Sequence, residues 1–165
     1  MTAARQCGTC TLCCKVMGIR ELEKPPGAWC PHCTAGRGCN IYSDRPPSCA
    51  AFACAWLRDE KWGPEWKPEK AKFVLTANDA ARWLSIHVDP AMPEAWKRAP
   101  YYERIQKLMR AALPKGGRVF IVTRDRHALL LPDGEHQIGT LQEGDVVTVM
   151  KNLHGEEYRI KKSRQ

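Results

Sequence analysis

After Cys54 the sequence has no cysteine at all, although nine lie between Cys7 and Cys54. No apolar run approaches the roughly 18 residues that a membrane-crossing helix needs. The first residues, Met-Thr-Ala-Ala-Arg-Gln-Cys, lack the apolar stretch of a secretory signal. There is no G-x-S-x-G, no phosphate-binding G-x-x-x-x-G-K-[ST], no H-E-x-x-H and no G-x-G-x-x-G. The familiar hydrolase, nucleotide-binding and metalloprotease signatures are therefore missing, and no catalytic residue is nominated. Low-complexity and internal-repeat classes fail as well.

What remains is a chain of 165 residues, 44% hydrophobic and 27% charged. That is enough to bury an ordinary core. A disulfide framework calls for a small exported chain and an even cysteine count. Here the count is odd and no export is signalled, so the cysteines are expected to be reduced, cytoplasmic and metal-binding. The net charge of +8 splits evenly between residues 1–58 and 59–165. Metal-bound cysteines are thiolates. Loading the first segment would bring it near neutrality, so a basic partner surface is expected in the second.

Residues 1–58 read as a loop-rich cysteine module, broken repeatedly by Gly and Pro. One short helix is expected there, capped by Ser48 and running from Cys49 to Leu57. Residues 59–71 read as an irregular connector. Strands are predicted within 72–88, with a turn at Asn78-Asp79. Tyr101, Ile105, Leu108, Met109 and Ala112 recur at helical spacing, which predicts a helix over 101–112. A β-meander is predicted over 118–161. The expected class is α+β: a metal-binding module packed on a small domain with an antiparallel sheet and one main helix, the two forming one compact unit.

Two C-x₂-C steps, Cys7–Cys10 and Cys30–Cys33, suit a metal because a tight turn aims both sulfurs inward. Cys13, Cys14, Cys39, Cys49 and Cys54 supply further thiols. Eight thiolates would make about two tetrahedral sites with one cysteine spare; a shared-thiolate binuclear site would use fewer. Neighbouring Cys13 and Cys14 diverge. One is expected to complete the Cys7/Cys10 site, while the other serves a second site, bridges or stays reactive. Cys7, Cys10 and Cys13 also match the opening of a ferredoxin-type run, which keeps an iron–sulfur cluster open.

Cys7-x-x-Cys10-x-x-Cys13-Cys14, Cys30, and Gly38-Cys39-Asn-Ile-Tyr42-Ser-Asp44-Arg45-Pro-Pro-Ser-Cys49 together resemble the CxxCxxCC cysteine-cluster family. These are the YkgJ-type zinc- or iron-chelating domain proteins of bacteria. The resemblance spans residues 5–56. It implies that Cys7, Cys10, Cys13, Cys14, Cys30, Cys39 and Cys49 bind metal, with Cys33 and Cys54 as additions. It implies zinc or iron as the ion and says little of biological role. Some flagellin lysine methylases look similar in this segment and imply an iron–sulfur cluster; this chain lacks their length.

Other residues carry alternatives. Arg45 could offset thiolate charge and hydrogen-bond to sulfur, or, with Asp44, serve a turn. His32 could replace a cysteine ligand. Trp29 and Trp56 are expected to shield the metal sites, and Trp62 and Trp66 to pack the connector. The histidines 32, 87, 127, 136 and 154 are scattered; His87 reads as structural, and Glu156-Glu157 has no supporting context. Arg104, Lys107 and Arg110 form a basic helix face within a segment of nine Lys/Arg against two acids (residues 97–126). Such a face allows weak, salt-sensitive nucleic-acid binding. Three function classes follow: structural zinc supporting an interaction surface for a protein partner; an iron–sulfur protein in redox, sensing or maturation; and a metal-stabilised basic nucleic-acid-binding module.

Overall fold

The computed structural model describes residues 5–142, 144–151 and 158–164. His154 and Glu156-Glu157 lie outside them. The module holds only short elements: α1 (Cys13–Val16), the two-residue strands β1 (Cys33–Thr34) and β2 (Gly38–Cys39), α2 (Pro47–Ala51) and α3 (Ala55–Arg58). The helix expected over 49–57 is broken. Pro47 starts α2 in place of a Ser48 cap, and Phe52 turns extended. The break lets Phe52 and Cys54 drop into a cluster with Leu12, Val16 and Val74, so burial overrides local helix propensity.

After α4 (Pro68–Ala71) comes the α+β body. Strands β3 (Phe73–Asn78), β4 (Trp83–Val88), β5 (Arg118–Thr123), β6 (Arg126–Leu131) and β7 (Gly134–Gly139) lie in that order in one sheet. The class is α+β as expected, with a difference in the sheet. β4 and β5 pair in parallel, Trp83 opposite Arg118 and His87 opposite Val122; every other pair in it is antiparallel. A parallel pair needs a long crossover, and the helix α5 (Tyr101–Ala112) lies in that connection. The last two strands, β8 (Asp145–Lys151) and β9 (Tyr158–Arg164), pair antiparallel as a separate two-stranded sheet rather than extending the meander.

Strand alternation explains the packing. Phe73, Leu75, Ile86, Val88, Val119, Ile121, Ala128 and Leu130 face α5, which buries Tyr101, Ile105 and Met109 against them. Trp62 and Trp66 join that core, each 3% exposed, as the connector reading expected. The opposite face is shared. Phe120, Val122, Leu129 and Leu131 meet Val147 of β8, and Val74 meets the module. Strands β5 and β6 are therefore apolar on both sides and read as unbroken hydrophobic runs. The described residues contain no helix long and apolar enough to cross a membrane.

His87 stands on the module-facing side of β4, its Nε2 3.2 Å from Thr76 Oγ1. Burial, with a contribution from the neighbouring His127, holds its pKa down at about 4, below the ordinary 6.5. Between these values the unfolded chain binds a proton that the folded chain refuses. Stability is therefore full above about pH 6.5 and falls as pH drops toward 4. His87→Gln should remove about 1–2 kcal/mol of the stability loss between pH 7 and 5, read from urea midpoints at the two pH values.

Candidate metal centre

Each C-x₂-C step is a closed turn. The N–H of Cys10 donates to the Cys7 carbonyl at 3.0 Å, and that of Cys33 donates to the Cys30 carbonyl at 3.1 Å. Gly8, at φ +57°, supplies the left-handed residue in the first turn. The second turn continues into the β1–β2 hairpin, where Cys33 lies opposite Cys39. His32 sits inside that turn, its carbonyl accepting from the Asn40 N–H at 2.7 Å. All nine cysteines are free thiols.

Electrostatic coupling links eight of these thiols in two groups. Cys54 interacts electrostatically with Cys7 and Cys10. Burial raises the Cys54 and Cys10 thiols, while backbone N–H groups of Leu57 and Leu12 oppose the rise. Glu69 borders this group and is held below the usual carboxylate range by Lys67, 2.7 Å away. Thr9 Oγ1 donates to the same carboxylate at 3.2 Å.

The second group joins Cys14 to Cys13, Cys30, Cys33 and Cys49. Hydrogen bonding to Cys13, together with burial, pushes the Cys14 thiol far up. Burial and the neighbouring Cys14 push Cys33 up to about 12. The buried Thr11 hydroxyl accepts from the Gly36 N–H at 3.0 Å and hydrogen-bonds to the Cys33 sulfur. Backbone bonds fix the frame: Cys30 N–H to the Cys14 carbonyl at 3.0 Å, and Gly27 N–H to the Lys15 carbonyl at 2.9 Å.

The vicinal Cys13 and Cys14 hydrogen-bond to each other. Cys13 and Cys14 stay together in the second group, and Cys54 is the thiol beside Cys7 and Cys10. The break between α2 and α3 makes this possible by sending Cys49 and Cys54 to different groups. Among the described residues, however, no three His, Cys, Asp or Glu side chains converge closely enough to hold a metal ion. The thiols are gathered but not closed around one centre.

The sequence leaves Arg45 two roles, a cation beside the sulfurs or, with Asp44, a turn residue. The structure places its guanidinium 4.0 Å from the centre of the exposed Tyr42 ring. The cation facing the thiols is Lys24, 6% exposed. Its ammonium donates to the carbonyls of Lys15 at 3.0 Å, Pro25 at 3.1 Å, and Met17. Burial lowers its pKa, and the charges of Cys30, Cys14, Cys13 and Cys49 oppose that. Lys24 therefore ties the loop together while placing a positive charge beside four sulfurs. Nothing in Glu-Lys-Pro-Pro marks such a lysine. Thr11 and Glu69 were likewise missed.

The tryptophans divide. Trp29 is 45% exposed, with Lys15 over its ring at 5.5 Å, and does not act as a buried shield. Trp56 is packed between Arg5 at 5.0 Å and Lys67 at 5.7 Å, on the side of the first group. Lys15 also joins the module to the body through Asp89 at 2.6 Å, an ion pair with side chains 15% and 11% exposed. Gly27 completes this seam: a Cβ there would meet Arg124 Cγ at 2.7 Å.

The basic helix residues differ in their neighbours. Arg104 lies over Trp62 at 5.3 Å and Trp66 at 5.9 Å and donates to the Lys61 carbonyl at 3.2 Å. Lys107 and Arg110 instead line an open groove with Tyr102, Gln106 and Asp133. All three are exposed on α5. No protein-family model, curated protein or solved structure matches the chain, so the CxxCxxCC resemblance rests on its motif residues alone.

Proposed function

We propose that residues 7–54 are a metal-binding module, with zinc held mainly for structure, and that the α+β body carries an interaction surface. The supporting observation is the pair of hydrogen-bonded C-x₂-C turns, each joined by thiols from distant parts of the chain. Soft thiolate donors in this number suit zinc or iron chemistry. Cys7, Cys10 and Cys54 would hold one ion, with Glu69 as the neighbouring carboxylate. Cys14, Cys30, Cys33 and Cys49 would hold the other, with Cys13 and Cys39 adjacent. The reading requires the side chains to draw together when the ion binds, with Lys24 and Thr11 offsetting negative charge around the second set.

Single replacements test the division into two sites. Cys54→Ser and Cys49→Ser should each lower metal content by about one ion per chain, and the double variant should carry almost none, as expected for separate closed sites. Metal analysis of the purified variants reads this directly. Unchanged content in both single variants would remove the two-site assignment.

A further inference from the structure

We propose that the open cavity between α3 and the first residues of β4 and β5 binds a small organic anion with a flat, apolar body. The cavity measures about 510 Å³, within the ordinary range for small-molecule sites. It is independent of the thiol groups and does not require the metal-binding reading.

Two arginines make the case. Arg82 and Arg118 meet at the start of the parallel pair, where the Arg118 N–H donates to the Arg82 carbonyl at 3.1 Å. Arg82 takes φ +55°, an uncommon backbone for a residue with a side chain. Both guanidiniums are anchored by carbonyls rather than carboxylates. Arg82 Nη1 donates to Lys115 at 2.7 Å and Arg118 Nη1 to Gly117 at 2.9 Å. Arg118 Nε is buried and has no hydrogen-bond partner among the described residues. Among them, too, no carboxylate forms an ion pair with either arginine.

A guanidinium offers five N–H donors in a fixed fork that suits carboxylate, sulfonate and phosphate groups. Removing it from water without an anion is costly. Arg58 adds a third cation to the wall. The opposing acids are Asp59, already held by Lys61 at 2.6 Å, and Asp79. Trp62, Trp83, Leu108 and Val119 supply the apolar wall. The combination selects a ligand with one anionic end and a flat hydrophobic remainder.

Anilinonaphthalene sulfonate has this chemistry and fluoresces when desolvated; phenylnaphthylamine is its neutral counterpart. Titrated into the full chain, the sulfonate should bind saturably, one per chain, with a dissociation constant on the order of 10–100 µM for a ligand of this size. Naphthoate should displace it. Arg118→Gln and Arg82→Gln should each weaken it about tenfold while leaving the neutral probe unchanged. Arg58→Gln, on an exposed position of a short helix, should weaken it about threefold and guards against misfolding of the other two. Equal binding of both probes, non-saturable binding, or an affinity unchanged in both Arg82→Gln and Arg58→Gln would overturn the assignment.

Discussion

Stripping metal with a strong chelator should unfold residues 7–54 and leave the five-stranded sheet folded. The reason is the poverty of the module's own interior. Its helices span four or five residues and its strands two, far short of lengths that persist alone. Its cluster holds four buried residues, Leu12, Val16, Cys54 and the body's Val74. Each contributes at most about 1.5–3 kcal/mol. Structural zinc contributes apparent binding energies of about 10–16 kcal/mol in small zinc modules, so the ion would dominate. Hydrogen exchange resolved by peptide reads the outcome. The amides of Cys10, Cys30 and Cys33 should lose protection, whereas those of β5 and β6 should keep it. Full protection of the module after complete metal removal would mean that packing alone holds it.

Phe73→Ala should have the largest effect among single substitutions in the body. Phe73 is fully buried. Its ring meets Tyr101 at 5.1 Å and Trp66 at 5.9 Å, both edge-on. Trp66 in turn stands 4.8 Å from Trp62. The Tyr101 hydroxyl donates to the Glu65 carbonyl at 2.9 Å, which locks the connector onto α5. Removing the ring deletes its transfer energy, leaves a cavity, and breaks two aromatic contacts. The expected loss is about 4 kcal/mol, a large share of the roughly 5–15 kcal/mol that holds a typical domain together. Chemical denaturation should show it as a lower midpoint with an unchanged slope. A loss below about 1 kcal/mol, the scale of a surface change, would show that the aromatic cluster does not join connector to body.

Much of the body is legible in the sequence because its signals are periodic and strong. The helix over Tyr101–Ala112 follows from apolar spacing alone. The apolar runs of β5 and β6 mark them as strands within the predicted 118–161 segment. What the sequence does not carry is pairing. Local patterns locate β4 and β5 but are silent on their parallel register, which depends on where α5 returns the chain. The broken helix at Phe52 is similar, because helix propensity there yields to burial against Val74. In the site, the C-x₂-C steps are visible by eye, and the structure closes both as turns. The grouping of thiols is not visible, since Cys54 reaches Cys7 and Cys10 only through the tertiary fold. Lys24 hides for the opposite reason: lysine is ordinarily exposed, and only its three carbonyl partners make it an interior residue.

The central claim is that the cysteine module holds metal. Its most direct test is the metal content and absorption spectrum of native protein, purified without oxygen and without a metal-affinity tag. Expected are about two zinc ions per chain, one on Cys7, Cys10 and Cys54 and one on Cys14, Cys30, Cys33 and Cys49 as closed structural sites would hold them, and no visible absorbance. Iron with acid-labile sulfide and a broad band near roughly 400 nm would replace zinc by a thiolate-held cluster and contradict the structural-zinc reading. Trace metal only, with all nine thiols reduced, would contradict metal binding itself.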